Sequence, residues 1–107
     1  MFFRKRKPPV VAPVEADRWL IIAPGVQVSA DEDGLAVLDT STGRVFADNR
    51  AAASIWLSAS KGLTIQQAAA ELAARFGITQ DRAEHDIQAF VESMVRNGLA
   101  VRGAEKP

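Results

Sequence analysis

Residues 35–49 read LAVLDTSTGRVFADN and contain two short strand patterns with a turn between them. The first pattern, Leu35 to Asp39, is largely apolar, and the second, Arg44 to Ala47, carries β-branched and aromatic residues typical of strands. The polar segment Thr40 to Gly43 ends in a glycine, which can adopt the positive φ that a tight turn needs. The stretch therefore predicts a β-hairpin.

The segment before this hairpin predicts a third strand. Val26 and Val28 alternate with Gln27 and Ser29, which is the period-two pattern of a strand with one buried face. The acidic run Asp31 to Gly34 then reads as a turn. A faint likeness of this run to a calcium-binding loop lacks the required ligand spacing, so a plain turn is expected.

Three helices are predicted after the hairpin, because apolar residues recur there at helical spacing. Asp48 or Asn49 caps the first helix, which runs to about Ala59. Thr64 and Gln67 form a capping box for the second helix, which ends at Gly77. Thr79 caps the third helix, which stops at Asn97 and Gly98. Leu99 to Val101 is expected to pack back, with a short strand as one option.

We therefore predict an α+β fold of the winged helix-turn-helix type, with a three-stranded antiparallel sheet followed by three helices in the order βββααα. Residues 19–102 would form this domain. Residues 1–18 are expected to be a flexible, basic, proline-containing arm, and residues 103–107 a C-terminal tail. The arm would serve as a solubilising tail, or alternatively dock on a membrane surface or a partner.

Charge and composition exclude several classes of protein. Residues 1–13 carry four basic side chains and no acidic one, whereas the remainder holds nine basic and thirteen acidic residues. The first residues lack the apolar core of a signal peptide, and no apolar run is long enough to span a bilayer. The chain contains no cysteine, which excludes disulfides and thiolate metal sites and fits a cytoplasmic location.

The sequence offers little for catalysis, so we expect no enzymatic activity, no cofactor and no metal. The chain has one histidine, His85, next to Asp86 on the third predicted helix. Adjacent helical residues point about 100° apart, so the two cannot form an oriented acid–base pair. No glycine-rich phosphate loop is present.

Two non-catalytic functions stay open at this point. The second and third helices could form a helix-turn-helix that binds DNA. However, the third helix carries four acidic residues between Asp81 and Glu92 against Arg82 alone, which would repel phosphates. A scaffold that binds other proteins through its basic arm is the other alternative.

The third strand offers a different mode of binding. It is short, carries one basic side chain, Arg44, and would lie at the edge of the sheet. An exposed edge can accept an extended peptide as an additional strand. If the third helix lies beside this edge, strand and helix would form a groove whose acidic residues favour a basic ligand. Capping of the edge by the arm or by a second copy is the alternative.

An ordered set of short motifs across residues 24–102 resembles the PqqD-like family, whose members recognise ribosomally made precursor peptides. The motifs are Leu38-Asp39, Thr42 to Phe46, Asn49, Ile55-Trp56, Lys61 to Thr64, Leu72-Ala73, Phe76-Gly77, Asp86-Ile87, Phe90-Val91 and Asn97 to Leu99. Family members in pyrroloquinoline quinone synthesis usually carry a Leu-Leu-x-Pro-Glu stretch, which this chain lacks. The corresponding segment of this chain, Asp39 to Phe46, is more similar to that of discrete family members in lasso-peptide and related pathways.

The resemblance implies a non-catalytic domain that binds the leader segment of a precursor as a strand antiparallel to the third strand, against the third helix. The domain would then present the core peptide to a modifying enzyme, such as a radical S-adenosylmethionine enzyme, a cyclase or a leader peptidase. A monomer or weak homodimer is expected. By position, the peptide-binding residues would be Arg44, Val45, Phe46, Ala47, Arg82, Asp86, Ala89, Phe90 and Ser93. Asp86 would either contact the ligand or make a structural hydrogen bond from helix to loop.

Overall fold

The computed structural model describes residues 18–103. Most of the predicted arm (residues 1–17) and of the predicted tail (residues 104–107) lies outside this range. The elements in chain order are β1 (Leu20–Ile22), β2 (Val26–Asp31), β3 (Gly34–Asp39), β4 (Arg44–Asp48), α1 (Arg50–Ser60), α2 (Ile65–Phe76), α3 (Gln80–Arg96) and β5 (Ala100–Arg102). Within the described range, no helix is both long and apolar enough to cross a membrane.

The predicted hairpin and its preceding strand form an antiparallel sheet in the order β2-β3-β4. β3 pairs with β4 in a regular register in which Val37 faces Phe46 and Asp39 faces Arg44. Leu35 and Val37 are buried on the inner face of this sheet. The α+β class, the three-stranded sheet and the three helices are thus confirmed.

The order βββααα was incomplete, because the chain forms five strands in two sheets. β1 and β5 pair antiparallel and form a second, two-stranded sheet, with Ile21 opposite Val101. Each strand has three residues, too few to show a period-two pattern, and the two lie about 80 residues apart in sequence. Their pairing is determined by tertiary packing, which a pattern within one segment does not reveal.

The helix boundaries follow the predicted caps closely. The side chain of Asn49 accepts a hydrogen bond from the N–H of Ala52 and begins α1. Thr64 and Gln67 form the predicted capping box of α2, which ends at Gly77 in the left-handed conformation. Thr79 caps α3 by accepting from the Arg82 N–H. These local signals place all three helices.

The three helices pack together, and α1 joins them to the three-stranded sheet. α1 packs against β2 and β3, α2 packs between α1 and α3, and α3 packs against β5. Small residues such as Ala69 and Ala83 are fully buried and allow the helices to approach closely. β4 comes last in the strand order β2-β3-β4, so it lies at an outer edge of the sheet.

Candidate functional site

β4 is an edge strand whose second side has no strand partner within residues 18–103. In an antiparallel pair, successive residues alternately point their backbone groups toward and away from the partner strand. The Thr40 N–H donates to the Gly25 carbonyl at 2.9 Å, just beyond the β2–β3 ladder. The backbone N–H and C=O groups of the even-numbered residues of β3 therefore point toward β2. Those of the odd-numbered residues point toward β4.

The register then fixes which backbone groups of β4 are free. The odd-numbered residues of β3 pair with Arg44, Phe46 and Asp48, so the backbone groups of those three residues point toward β3. The Arg44 N–H, at the start of the strand, donates to the Thr42 hydroxyl oxygen at 3.2 Å. The N–H and C=O groups of Val45 and Ala47 point away from the sheet. Two donors and two acceptors consequently line the open edge.

The side chains of β4 divide between the two faces of the sheet. Arg44, Phe46 and Asp48 share the inner face with the buried residues of β3, whereas Val45 and Ala47 lie on the outer face. Phe46 is half-buried against the core, and the Arg44 guanidinium lies 4.9 Å from the centre of its ring. Val45 is 67% exposed. The predicted residues 44–47 are therefore close together at one accessible edge.

The turn before β4 is held by the carboxylate of Asp39. Its Oδ1 accepts hydrogen bonds from the Ser41 hydroxyl at 2.7 Å and from the Ser41 N–H at 3.1 Å. These bonds, with a smaller effect from Thr42, hold the pKa of Asp39 below its ordinary value despite partial desolvation. The ionised carboxylate thus stabilises the hairpin that positions β4.

We expect the turn to loosen in acid. The folded-state pKa of Asp39 is lowered, so its stabilising effect is present above about pH 3.9, the ordinary aspartate value, and is lost as the pH falls through the lowered pKa. The Ser41 amide should exchange faster with solvent over that range, which hydrogen exchange followed by NMR would measure. An Asp39→Asn variant should show no such pH step, and an identical step in both proteins would contradict the assignment.

The residues predicted on α3 form one stripe along that helix. At 100° per residue, Arg82, Asp86, Ala89 and Ser93 lie within about 60° of one another. Asp86 is half-buried and the other three side chains are exposed. Phe90 borders this stripe but is buried, with 7% exposure, and belongs to the hydrophobic core. Its ring would therefore support the stripe from below.

Two of the predicted site charges bind each other. The Arg82 Nε donates to Asp86 Oδ1 at 3.3 Å, one helical turn away, with side chains 64% and 31% exposed. Neither of the two uses foreseen for Asp86, a ligand contact or a helix-to-loop bond, included this pair. An exposed pair of this kind contributes about 0.3–0.5 kcal/mol to stability, so a ligand charge could displace it at small cost.

β4 and α3 are not packed extensively against each other. α3 contacts α2, α1 and β5, whereas the sheet contacts α1. The structure therefore groups the predicted residues into two separate rows, one on a strand edge and one on a helix face. Within the described range, no three histidine or acidic side chains cluster to hold a metal ion.

The sequence-based site omitted Asp48. Its side chain is exposed and lies on the inner face of β4 with Arg44 and Phe46, at the other end of the strand. The signal was available, since residues 44, 46 and 48 alternate with 45 and 47 in any regular strand. The sequence predicts Asp48 or Asn49 as the cap of the first helix, and Asn49 fills that role.

Known proteins share the fold and part of the sequence of this chain. The family model described as Coenzyme PQQ synthesis protein D (PqqD) matches residues 34–100. A solved structure described as lasso peptide synthetase B1 complexed with the leader peptide is 28% identical in sequence. The structural alignment covers 77% of this chain and 96% of the lasso peptide synthetase chain, with a TM-score of 0.69.

A second solved structure, TbiB1 in complex with the TbiA(beta) leader peptide, has a TM-score of 0.65 and covers 74% of this chain and 92% of that chain. It is 19% identical, so the likeness concerns the fold. No curated protein matches the chain significantly. Since the family model spans more than half of the sequence, the chain belongs to the PqqD family.

Proposed function

We propose that this protein binds the leader segment of a ribosomally made precursor peptide by strand addition to β4. The observation that carries the proposal is the open edge, where the backbone groups of Val45 and Ala47 have no strand partner within residues 18–103. The two structurally similar proteins were both solved with leader peptides, which supports the same class of ligand here. The leader would run antiparallel to β4.

The energetics of this binding mode are adequate without a deep pocket. Four backbone hydrogen bonds at about 0.5–1.5 kcal/mol each would contribute several kcal/mol. A few leader side chains buried beside Phe46 and the α3 stripe would add about 1.5–3 kcal/mol each before ordering costs. The sum is compatible with micromolar to sub-micromolar affinity, about −8 to −10 kcal/mol.

The α3 stripe would form the second wall of the site. Arg82, Asp86, Ala89 and Ser93 would face the bound strand, and the buried ring of Phe90 would lie beneath them. In this arrangement the domain resembles a winged helix whose sheet edge is used for peptide, not for DNA. The domain would bring the core peptide to a modifying enzyme in the cytoplasm, where ribosomes release the precursor, and would perform no chemistry itself.

A titration followed by NMR tests this proposal. The ¹⁵N-labelled chain would be titrated with the synthetic leader of a precursor encoded beside its gene, and with a random DNA duplex as control. Shifts concentrated in residues 43–47 and 82–93 with peptide alone are expected. Shifts along α3 with DNA but none with peptide would contradict it. Salt adds a check, because DNA binding weakens steeply with salt whereas strand addition does so mildly.

Reversing the charge of Asp86 should change affinity for a basic leader moderately. Asp86→Arg breaks the pair with Arg82 and places two cations one turn apart, so a leader cation near α3 would be repelled. We expect binding to weaken about three- to tenfold by isothermal titration calorimetry, an effect of about 0.7–1.4 kcal/mol. A Glu92→Arg variant, which reverses the same charge at an exposed position of α3 outside the stripe, is the control. Unchanged affinity in a folded Asp86→Arg protein would remove Asp86 from the site.

A further inference from the structure

The inner face of the open edge carries three different kinds of side chain in a row. Arg44 is basic, Phe46 is aromatic and Asp48 is acidic, and all three project from alternate positions of β4. Within residues 18–103, the ion pairs are Lys61–Glu71 and Arg82–Asp86, so neither Arg44 nor Asp48 is paired with an opposite charge there. The row therefore presents a positive end, an apolar centre and a negative end.

Both charged side chains retain hydrogen-bonding capacity. The Arg44 guanidinium lies over the Phe46 ring, which restrains it while leaving the N–H groups along its rim free. One carboxylate oxygen of Asp48, Oδ1, accepts from the Asn49 N–H at 2.8 Å, and the second oxygen is not engaged by that bond. A ligand charge can therefore bind at either end of the row without breaking existing contacts.

A strand added to β4 would place its own side chains directly against this row. The outward backbone groups belong to Val45 and Ala47, so those residues would form the hydrogen-bonded pairs with the ligand. Arg44, Phe46 and Asp48 would then face the ligand in the non-hydrogen-bonded pairs. Side chains approach most closely in such pairs, so cross-strand selectivity is greatest there.

We propose that β4 selects a five-residue leader segment that reads, from N to C terminus, basic–x–apolar–x–acidic. This inference rests on the proposed function and specifies its ligand. In an antiparallel strand the basic residue would face Asp48, the apolar residue would face Phe46, and the acidic residue would face Arg44. The residues marked x would lie on the outer face beside Val45 and Ala47, where the surface imposes little chemistry.

The row of Arg44, Phe46 and Asp48 also determines the register and the direction of the bound leader strand. A slip of one residue would turn every selected side chain to the other face of the sheet. A slip of two residues would place a charge against Phe46 and lose both ion pairs. A parallel strand would need the reversed order of charges. Backbone hydrogen bonds alone cannot distinguish these registers, so the side chains of β4 supply the specificity.

The acidic helix α3 does not override this selection. The Asp86 carboxylate on the stripe is already paired with Arg82, and Glu92 is exposed outside the stripe. The expectation of a basic ligand, based on the charge of the third helix as a whole, is therefore refined. The leader needs a basic residue at one position and an acidic residue four positions later.

A peptide-display selection tests the inference. The full chain would be the bait for a phage library of nine randomised residues. Three variants serve as parallel baits. They are the charge exchange Arg44→Glu with Asp48→Arg, a matched helix exchange Arg75→Glu with Asp81→Arg at exposed positions outside β4 and the α3 stripe, and Val45→Pro. The first two keep the net charge of the chain, and circular dichroism would verify that each bait is folded.

The wild-type bait and the bait with the helix exchange should enrich the order basic–x–apolar–x–acidic, and the β4-exchanged bait should enrich the reverse order. A synthetic peptide from the wild-type selection should bind the β4-exchanged chain at least about fivefold more weakly, since two attractive pairs become repulsive. If both chains enrich the same sequences, the inference is wrong while strand addition stands. If wild type enriches nothing beyond what Val45→Pro retains, both proposals fail.

Discussion

Replacing Val45 with proline should abolish leader binding while leaving the domain folded. The Val45 N–H points out of the sheet, so proline removes a donor that the ligand would use but none that β3 uses. The proline ring would also project toward the incoming strand and keep its backbone away. Edge strands tolerate proline where the N–H faces solvent, so the loss in fold stability should be small.

The expected magnitude is large because one substitution acts on several contacts. Loss of one hydrogen bond costs about 0.5–1.5 kcal/mol, and displacement of the ligand backbone weakens the neighbouring bonds to Ala47 as well. We expect at least a hundredfold weaker binding by calorimetry, about 2.7 kcal/mol. Val45→Ala is the matched control, since it keeps the N–H and should bind within a few-fold of wild type.

A proline at Phe46, unlike one at Val45, should destabilise the fold. The Phe46 N–H bonds to β3, and its ring packs against the core, so Phe46→Pro should destabilise the hairpin itself. Comparing thermal unfolding of the Val45→Pro and Phe46→Pro proteins would therefore test the alternation of backbone groups directly. Equal destabilisation of both, or wild-type binding by Val45→Pro, would show that the edge is not used as described.

Local chemistry made much of this fold predictable. The hairpin could be foreseen from two strand patterns around the turn Thr40 to Gly43, and the three helices from the caps Asn49, Thr64 and Thr79. Such signals act within four residues of chain and do not depend on distant packing. They placed β4 as the last strand of the predicted sheet and hence at its edge, which is where the candidate site begins.

Other features depended on contacts that sequence spacing does not encode. Phe90 is placed among the ligand contacts by its position in the family resemblance, yet tertiary packing buries it. The choice between Val45 and Phe46 as the residue with a free N–H required the observed register, since both alternations fit the same sequence. The pairing of β1 with β5 joins the two ends of the domain, a long-range contact with no local signal.

Truncating Trp19 should cause the largest loss of stability among these variants. Trp19 directly precedes β1 and is 4% exposed within the hydrophobic core. Its indole Nε1–H donates to the Leu63 carbonyl at 2.8 Å, which links the start of the domain to the segment between α1 and α2. Trp19→Ala should lower the free energy of unfolding by about 3–5 kcal/mol, measured by urea denaturation.

Trp19→Phe separates packing from hydrogen bonding at this position. Phenylalanine retains most of the buried ring but leaves the Leu63 carbonyl without its donor, which should cost about 1–3 kcal/mol. Small domains have about 5–15 kcal/mol of total stability, so the alanine variant would lose a large fraction of it. If Trp19→Ala lowered stability by less than 1 kcal/mol, the β1–β5 sheet would be peripheral, and residues 24–99 would carry the fold without it.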